Sequence, residues 1–246
     1  MRAEEAELRL FCFPHAGGGA AFFRPWRQRL APELDVRTIV LPGREARVRE
    51  APYRRVEQLL GPVCEALEPL LDRPYALLGH SLGAIVAFEV ARRLVTGGAP
   101  APRCLLVSGR RSPRAPRLRR RYSALPDMQF LAAIGELGGT PPEVLAEPQL
   151  VRMLLPALRA DFEINESYQV GAGPLLRCPV IAYAGRDDPE VDPGELVEWH
   201  EATSGEFALR LFDGGHFYLR GGRPDVVACV RQDLWRCLDR PQERSG

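Results

Sequence analysis

A serine lies between two glycines in the segment Gly79–Gly83, which reads Gly-His-Ser-Leu-Gly. The apolar run Tyr75–Leu78 precedes this segment, and a run with helical character, Ala84–Glu89, follows it. This arrangement predicts a sharp strand-to-helix turn, in which side chains at the glycine positions would clash and the serine backbone is strained. The turn places the Ser81 hydroxyl at a helix N-terminus, where peptide dipoles favour developing negative charge. Ser81 is therefore a candidate nucleophile, and an ordinary turn serine is the alternative.

A serine hydroxyl needs a general base, and the chain has four histidines. His216 follows the apolar run Phe207–Phe212, in a loop at the carboxyl end of a predicted strand. His80 adjoins Ser81 and is assigned to packing or hydrogen bonding, whereas His200 lies inside a helical pattern and is expected at the surface. His216 is therefore the candidate base.

The imidazole base in turn needs an acid that orients it. The chain order nucleophile, acid, base places this acid between residues 81 and 216. The predicted strand Pro179–Ala184 ends in a loop that contains Asp187 and Asp188. Asp188 precedes Pro189, which restrains it to an extended conformation. We favour Asp188 as the orienting acid and keep Asp187 as the alternative.

A tetrahedral intermediate also needs hydrogen-bond donors for its negative oxygen. The backbone N–H of Leu82, directly after the candidate nucleophile, is one candidate. The second donor is expected in the loop after an early strand, and the glycine-rich segment Pro14–Gly19 follows the apolar run Leu8–Phe13. A phosphate-binding role is excluded for this segment, since the chain has neither Gly-Lys-Ser/Thr nor Gly-x-Gly-x-x-Gly.

Short apolar runs alternate with longer helical patterns along the whole chain. The runs are almost continuously apolar, as expected for strands of a parallel sheet that is covered on both faces. The predicted strands are Leu8–Phe13, Val36–Leu41, Tyr75–Leu78, Cys104–Val107, Pro179–Ala184 and Phe207–Phe212. The predicted helices are Ala21–Leu30, Val56–Leu71, Leu82–Val95, Pro193–Ala202 and Pro224–Leu238. This alternation predicts right-handed crossovers and a doubly wound, mostly parallel α/β sheet, with residues 1–246 forming one domain.

The interval from Arg110 to Arg177 is too long for a single crossover between two strands. Met128–Leu137 and Gln149–Phe162 show amphipathic helical patterns inside it. We interpret residues 110–176 as an inserted helical lid, an element that often gates an active site. Its first part, Arg110–Arg121, contains seven arginines and no acid. This part is either a solvated loop or a patch that steers an acidic partner.

The composition argues against several classes of protein. The 246 residues are 46% hydrophobic and carry a formal net charge of +1, whereas general nucleic-acid binding needs a basic surface. No stretch approaches the roughly 20 apolar residues of a membrane span, and the N-terminus has no apolar run of signal-peptide length. The six cysteines lie in apolar patterns without a Cys-x-x-Cys pair. We therefore expect buried, reduced thiols and a cytoplasmic protein.

Several segments in combination resemble the type II thioesterases, discrete editing hydrolases of the α/β-hydrolase fold that accompany modular polyketide synthases and nonribosomal peptide synthetases. These segments are Pro14–Gly19 with Phe23 and Trp26 after it, Leu41–Glu45, Gly79–Gly83 and Gly214–Phe217. The resemblance extends over about residues 8–238. It implies a Ser81–Asp188–His216 triad, with the backbone N–H groups of Ala16 and Leu82 as the oxyanion hole.

The resemblance also implies a reaction and a partner. Acyl-phosphopantetheine thioesters on acyl or peptidyl carrier proteins would be hydrolysed through an acyl-serine, without a bound cofactor or metal. The enzyme would be a monomer that meets the carrier protein transiently, with no nucleic acid or membrane as partner. A small-molecule carboxylesterase, a cyclising thioesterase and a non-catalytic protein that binds acyl carriers are the alternatives. Phe23 and Trp26 are expected in the core, and Arg44 and Glu45 either pair with each other or shape the site.

Overall fold

The computed structural model describes residues 6–115 and 121–239. The strands are β1 (Leu8–Phe13), β2 (Leu34–Thr38), β3 (Tyr75–His80), β4 (Leu105–Ser108), β5 (Val180–Gly185) and β6 (Phe207–Phe212). The helices are α1 (Ala20–Leu30), α2 (Val56–Leu67), α3 (Leu82–Thr96), α4 (Asp127–Glu136), α5 (Pro142–Leu145), α6 (Pro148–Ser167), α7 (Pro193–Leu196) and α8 (Pro224–Leu238). Short 3-10 helices span Glu45–Arg47, Glu68–Leu70 and Val197–Ala202. Within the described residues the strands form one parallel sheet in the order β2-β1-β3-β4-β5-β6.

Alternate residues of the central strands face opposite layers of helices. In β1, Phe11 and Phe13 pack in the layer that contains α2 and α3, whereas Leu10 and Cys12 pack in the layer that contains α1 and α8. Because both faces are covered, every residue of β1, β3, β4 and β5 is buried. The predicted doubly wound sheet is confirmed. Phe23 and Trp26 are fully buried in the core, also as predicted.

Some element boundaries differ from the predictions for physical reasons. Strand β2 lies earlier than the predicted range 36–41, because its pairing with β1 runs from Leu8 opposite Leu34 to Cys12 opposite Thr38. Helix α2 ends before the predicted residue 71 and continues as a 3-10 turn. Pro69 in that turn lacks the N–H that another α-helical hydrogen bond would require.

The long interval between β4 and β5 contains α4, α5 and α6. It has its own cluster of buried apolar side chains from α4 and α6, namely Phe130, Ile134, Leu158 and Phe162. Both long helices are present, but α6 continues to Ser167, beyond the predicted end at Phe162. Helix α5 was missed because four residues are too few to show a helical period. No helix in the described ranges combines the length and the apolar character that crossing a membrane requires.

Candidate active site

Ser81 lies in the turn between β3 and α3, with φ 56° and ψ −118°. A Cβ built on Gly79 would overlap the carbonyl oxygen of Gly83, and one built on Gly83 would overlap the carbonyl oxygen of Phe13. The turn can therefore form only because both positions are glycine. The Ser81 N–H donates to the carbonyl oxygen of Ser108 on β4, at 2.7 Å. The strained serine backbone is thus fixed between two neighbouring strands, as expected for a nucleophile turn.

His216 lies in the loop after β6 and contacts the loop after β5. Its Nδ1 is 2.8 Å from Oδ2 of Asp188, whose side chain is completely buried. The other oxygen of Asp188, Oδ1, accepts a hydrogen bond from the N–H of Glu190 at 2.9 Å. Because an ionised carboxylate only accepts, Nδ1 of His216 donates, and its Nε2 keeps the lone pair that a general base needs. Asp187 is exposed, so the geometry favours Asp188 between the two aspartates.

Leu82 is the first residue of α3, so its N–H has no acceptor within the helix and is available to a ligand at this end. Ala16 lies in the loop after β1, where the N–H of Gly18 donates to the carbonyl oxygen of His15 at 2.9 Å. Ala16, Ser81 and His216 line one cavity. The structure thus brings the five residues predicted for the site to the carboxyl ends of β1, β3, β5 and β6, where ligands bind in sheets of this type.

The cavity has a volume of about 370 Å³. Its apolar wall comes from the segment between β4 and β5, through Tyr122, Ile134, Leu137, Leu158 and Phe162. Its polar residues include Arg110, Asn165 and Glu190. The same cavity therefore combines the candidate reactive groups with an apolar wall that can accommodate an acyl chain.

Comparisons with known proteins agree with this geometry. The family model for the thioesterase domain matches residues 8–234. The chain belongs to the thioesterase family. It is 43% identical to the thioesterase PikA5 of Streptomyces venezuelae, over 98% of this chain and 86% of that protein. It is 40% identical to the gramicidin S biosynthesis protein GrsT of Aneurinibacillus migulanus, over 93% of this chain and 90% of that protein.

A solved structure extends the comparison to the fold. The type II thioesterase BorB from the borrelidin biosynthetic cluster superposes with a TM-score of 0.86 and 40% identity, covering 94% of each chain. The predicted family and the α/β-hydrolase fold are confirmed, and the enzyme is a thioester hydrolase.

Two buried histidines lie close to the candidate base His216 in this thioesterase. Nδ1 of His80 is 3.0 Å from the hydroxyl of Ser108, which is 2.7 Å from the hydroxyl of Tyr218. Burial lowers the pKa of His80 well below its usual range and, together with the nearby His216, lowers that of His15 to about 3. Both rings are therefore neutral at physiological pH. The sequence assigned His80 to packing or hydrogen bonding, but it gave no signal for Ser108 or Tyr218.

The remaining sequence predictions for the thioesterase have mixed outcomes. His200 is exposed, as expected. Arg44 does not pair with Glu45 but with Asp161 on α6, and Glu45 approaches the N–H of Ala21 instead.

The arginine-rich segment is also corrected in part. Arg110 does not belong to a solvated loop, because its guanidinium donates to Asn165 beside the cavity, and burial lowers its pKa to about 10. Arg114 and Arg121 are exposed. Arg117, Arg119 and Arg120 lie outside the described residues.

Proposed function

We propose that this thioesterase hydrolyses acyl-phosphopantetheine thioesters on acyl or peptidyl carrier proteins, with Ser81, His216 and Asp188 as its catalytic residues. The observation that carries the catalytic part is the 2.8 Å hydrogen bond between Asp188 and His216, beside the strained Ser81. The carrier part is supported by relatives named for gramicidin S biosynthesis and for the borrelidin cluster. The function is then the removal of aberrant or stalled acyl groups from a modular synthase. Hydrolases of this family generally need no cofactor.

Acylation begins when Oγ of Ser81 attacks the thioester carbonyl carbon and its proton passes to Nε2 of His216. Asp188 holds the imidazole in the correct tautomer and stabilises the cation that forms. The N–H groups of Ala16 and Leu82 bind the oxyanion of the tetrahedral intermediate. The carbon–sulfur bond then breaks, and the sulfur takes the proton from His216. The free pantetheine thiol departs, and the acyl group remains as an ester on Ser81.

Deacylation repeats these steps with water. His216 takes a proton from a water molecule while the oxygen of that water attacks the ester carbonyl. The bond to Oγ of Ser81 breaks, the serine recovers the proton, and the carboxylic acid leaves. One thioester and one water thus give one acid and one thiol.

Residues 110–176 act as a lid within the single domain 1–246, and their apolar wall contacts the acyl chain during both steps.

The experiment that tests this function compares one acyl group in three forms: on a carrier protein, on a short pantetheine mimic and as a simple oxygen ester. We expect kcat/KM to fall in that order, and we expect a fluorophosphonate probe to label wild-type enzyme but not Ser81→Ala. Equal or better turnover of the oxygen ester would identify a carboxylesterase instead. Carrier binding without labelling or turnover would identify a non-catalytic carrier-binding protein.

A further inference from the structure

A buried ion pair joins α6 to the loop after β2. The guanidinium of Arg44 donates from Nη1 to Oδ2 of Asp161 at 2.7 Å and from Nη2 to Oδ1 at 2.8 Å. The two side chains are only 5% and 2% exposed. In this two-point geometry each charge compensates the other, whereas either charge alone would be unpaired in the interior.

Both members of the pair also bind the glycine-rich loop that contains Ala16. Oδ2 of Asp161 accepts the N–H of Gly17 at 2.7 Å, and Nη1 of Arg44 donates to the carbonyl oxygen of Gly18 at 3.2 Å. The N–H of Gly18 donates to the carbonyl oxygen of His15. Consecutive peptide groups of this loop are therefore each held by a hydrogen bond.

The last of these bonds bears directly on Ala16. The carbonyl of His15 and the N–H of Ala16 belong to the same planar trans peptide group, so fixing the direction of the carbonyl fixes the direction of the N–H. The loop has little rigidity of its own, because it contains three successive glycines and Gly17 has φ +76°. A Cβ on Gly17 would overlap the side chain of Leu158 on α6. The hydrogen bond that orients the Ala16 amide lies within the loop, and the contacts of Asp161 with Gly17 and of Arg44 with Gly18 hold the loop in the conformation that forms this bond.

We propose that Arg44 and Asp161 are positioning residues, which hold the Ala16 amide in its oxyanion-binding direction and make that direction depend on the docking of α6. This inference rests on the proposed role of Ala16 in catalysis. Catalysis then requires Asp161, a residue of α6 that does not line the cavity. A loss of the pair then weakens binding of the tetrahedral intermediate more than binding of the substrate.

The test uses Asp161→Asn, with Asp35→Asn as the matched control. Asp35 forms a comparably buried pair with Arg9 at 2.7 Å, with side chains 5% and 6% exposed, between β2 and β1. Hydrolysis of an acyl-pantetheine mimic gives kcat and KM. The inhibition constant of a trifluoromethyl ketone analogue, which forms a tetrahedral adduct with a catalytic serine, reports the oxyanion site. Urea unfolding measures stability.

We expect Asp161→Asn to lower kcat about 10²-fold and to raise the inhibition constant of the ketone by a similar factor. This is the effect of losing one oxyanion donor. KM should change less than about threefold. Asp35→Asn should be destabilised but keep kcat within about threefold of wild type. If Asp161→Asn does not fold, Arg44→Lys, which keeps the charge but loses the two-point geometry, is measured instead. Normal kcat and normal ketone binding in a folded variant would overturn the proposal.

A double variant separates this inference from the proposed function. In the Ser81→Ala background water attacks the thioester directly and the oxyanion hole still supplies part of the residual rate, so adding Asp161→Asn should lower that residual activity further. A residual activity that Asp161→Asn leaves unchanged would mean that Asp161 does not act through the oxyanion hole, which overturns the positioning role. Near-normal activity of Ser81→Ala alone would instead refute the proposed function.

Discussion

Ser81 and the apolar wall of the cavity are held in place by different kinds of interaction. At Ser81 the backbone itself sets the geometry, since β3 pairs with β1 and β4 on both sides and the flanking glycines leave no room for a side chain. The wall rests on a small apolar cluster of α4 and α6. Long side chains join it to the rest of the chain, such as Arg220, which donates to the carbonyl oxygen of Gly138 at 2.7 Å.

This difference determines which substitutions each region tolerates. A site built from paired strands has almost no conformational freedom, so a substitution there alters the reactive group and little else. A region attached through side chains can shift when one contact is lost. We therefore expect substitutions at the strand ends to change the chemical step, and substitutions of the side chains that line the apolar wall to change which acyl groups fit. Asp161 on α6 does not line the cavity and acts through the loop after β1.

The largest expected effect is that of Ser81→Ala. Without its nucleophile the enzyme should lose about 10⁵- to 10⁶-fold in kcat, because only binding and the oxyanion hole remain. The free energy of unfolding should stay within about 0.5 kcal/mol of wild type, since the half-buried hydroxyl contributes little packing. Steady-state hydrolysis and urea unfolding of the purified variant measure both. A variant with near-normal turnover would remove Ser81 from the mechanism.

The region around Ser81 could be predicted well from the sequence, because the sequence patterns that define it are local. The glycine spacing around Ser81, the apolar runs of the strands and the proline after Asp188 all lie within a few residues of the feature they define. Even there, the bounds of β2 are set by its pairing with β1, and a run of apolar residues gives no information about strand pairing.

The contacts that support the site could not be predicted in the same way. Arg44 and Asp161 are 117 positions apart, and Ser108 and Tyr218 are 110 apart. Each of these side chains is polar in an otherwise apolar or loop segment, and the sequence contains many such residues. Only the three-dimensional approach of α6 to the loop after β1 selects Asp161 among the 32 acidic residues of the chain.

The second prediction separates the two adjacent aspartates. Asp188→Asn should lower kcat about 10⁴-fold, because the amide would favour the wrong tautomer of His216. Asp187→Asn is the matched control, and its exposed side chain makes a change of more than about threefold unexpected. Parallel hydrolysis assays on the acyl-pantetheine mimic decide between them. The reverse order of effects would mean that the loop after β5 presents Asp187 to His216 during catalysis.

The third prediction uses pH to separate the two regions. All four histidines of the chain lie outside residues 110–176, so titration of a histidine affects the other region directly. Burial holds the pKa of His15 at about 3, whereas in the unfolded chain it is about 6.5. Below pH 6.5 the unfolded state therefore binds the extra proton, and stability falls as pH falls towards 3. For this one group the loss between pH 7.5 and pH 5 is about 2 kcal/mol.

His15→Gln checks this contribution to stability. Urea unfolding at pH 7.5, 6.5 and 5 should show a lower stability for the variant at pH 7.5 but a shallower decline on acidification. Met128→Ala, a change on α4 that involves no ionisable group, should decline in parallel with wild type. If His15→Gln also declines in parallel, the buried ring takes up its proton in the folded state and the assigned cause is wrong.

The smallest expected effect concerns the cavity wall. Leu137 lies at the end of α4, is half-buried and lines the cavity, whereas Met128 on the same helix is 78% exposed and does not. Leu137→Ala removes apolar surface that a long acyl chain can contact, at about 0.8 kcal/mol for each methylene group, whereas an acetyl group is too short to gain much from this wall. We expect kcat/KM for an octanoyl-pantetheine mimic to fall about tenfold relative to the acetyl mimic. Met128→Ala should leave this ratio unchanged. An equal loss on both substrates from Leu137→Ala would show that the wall supports the chemical step rather than acyl selection, and the two regions would then not divide these roles.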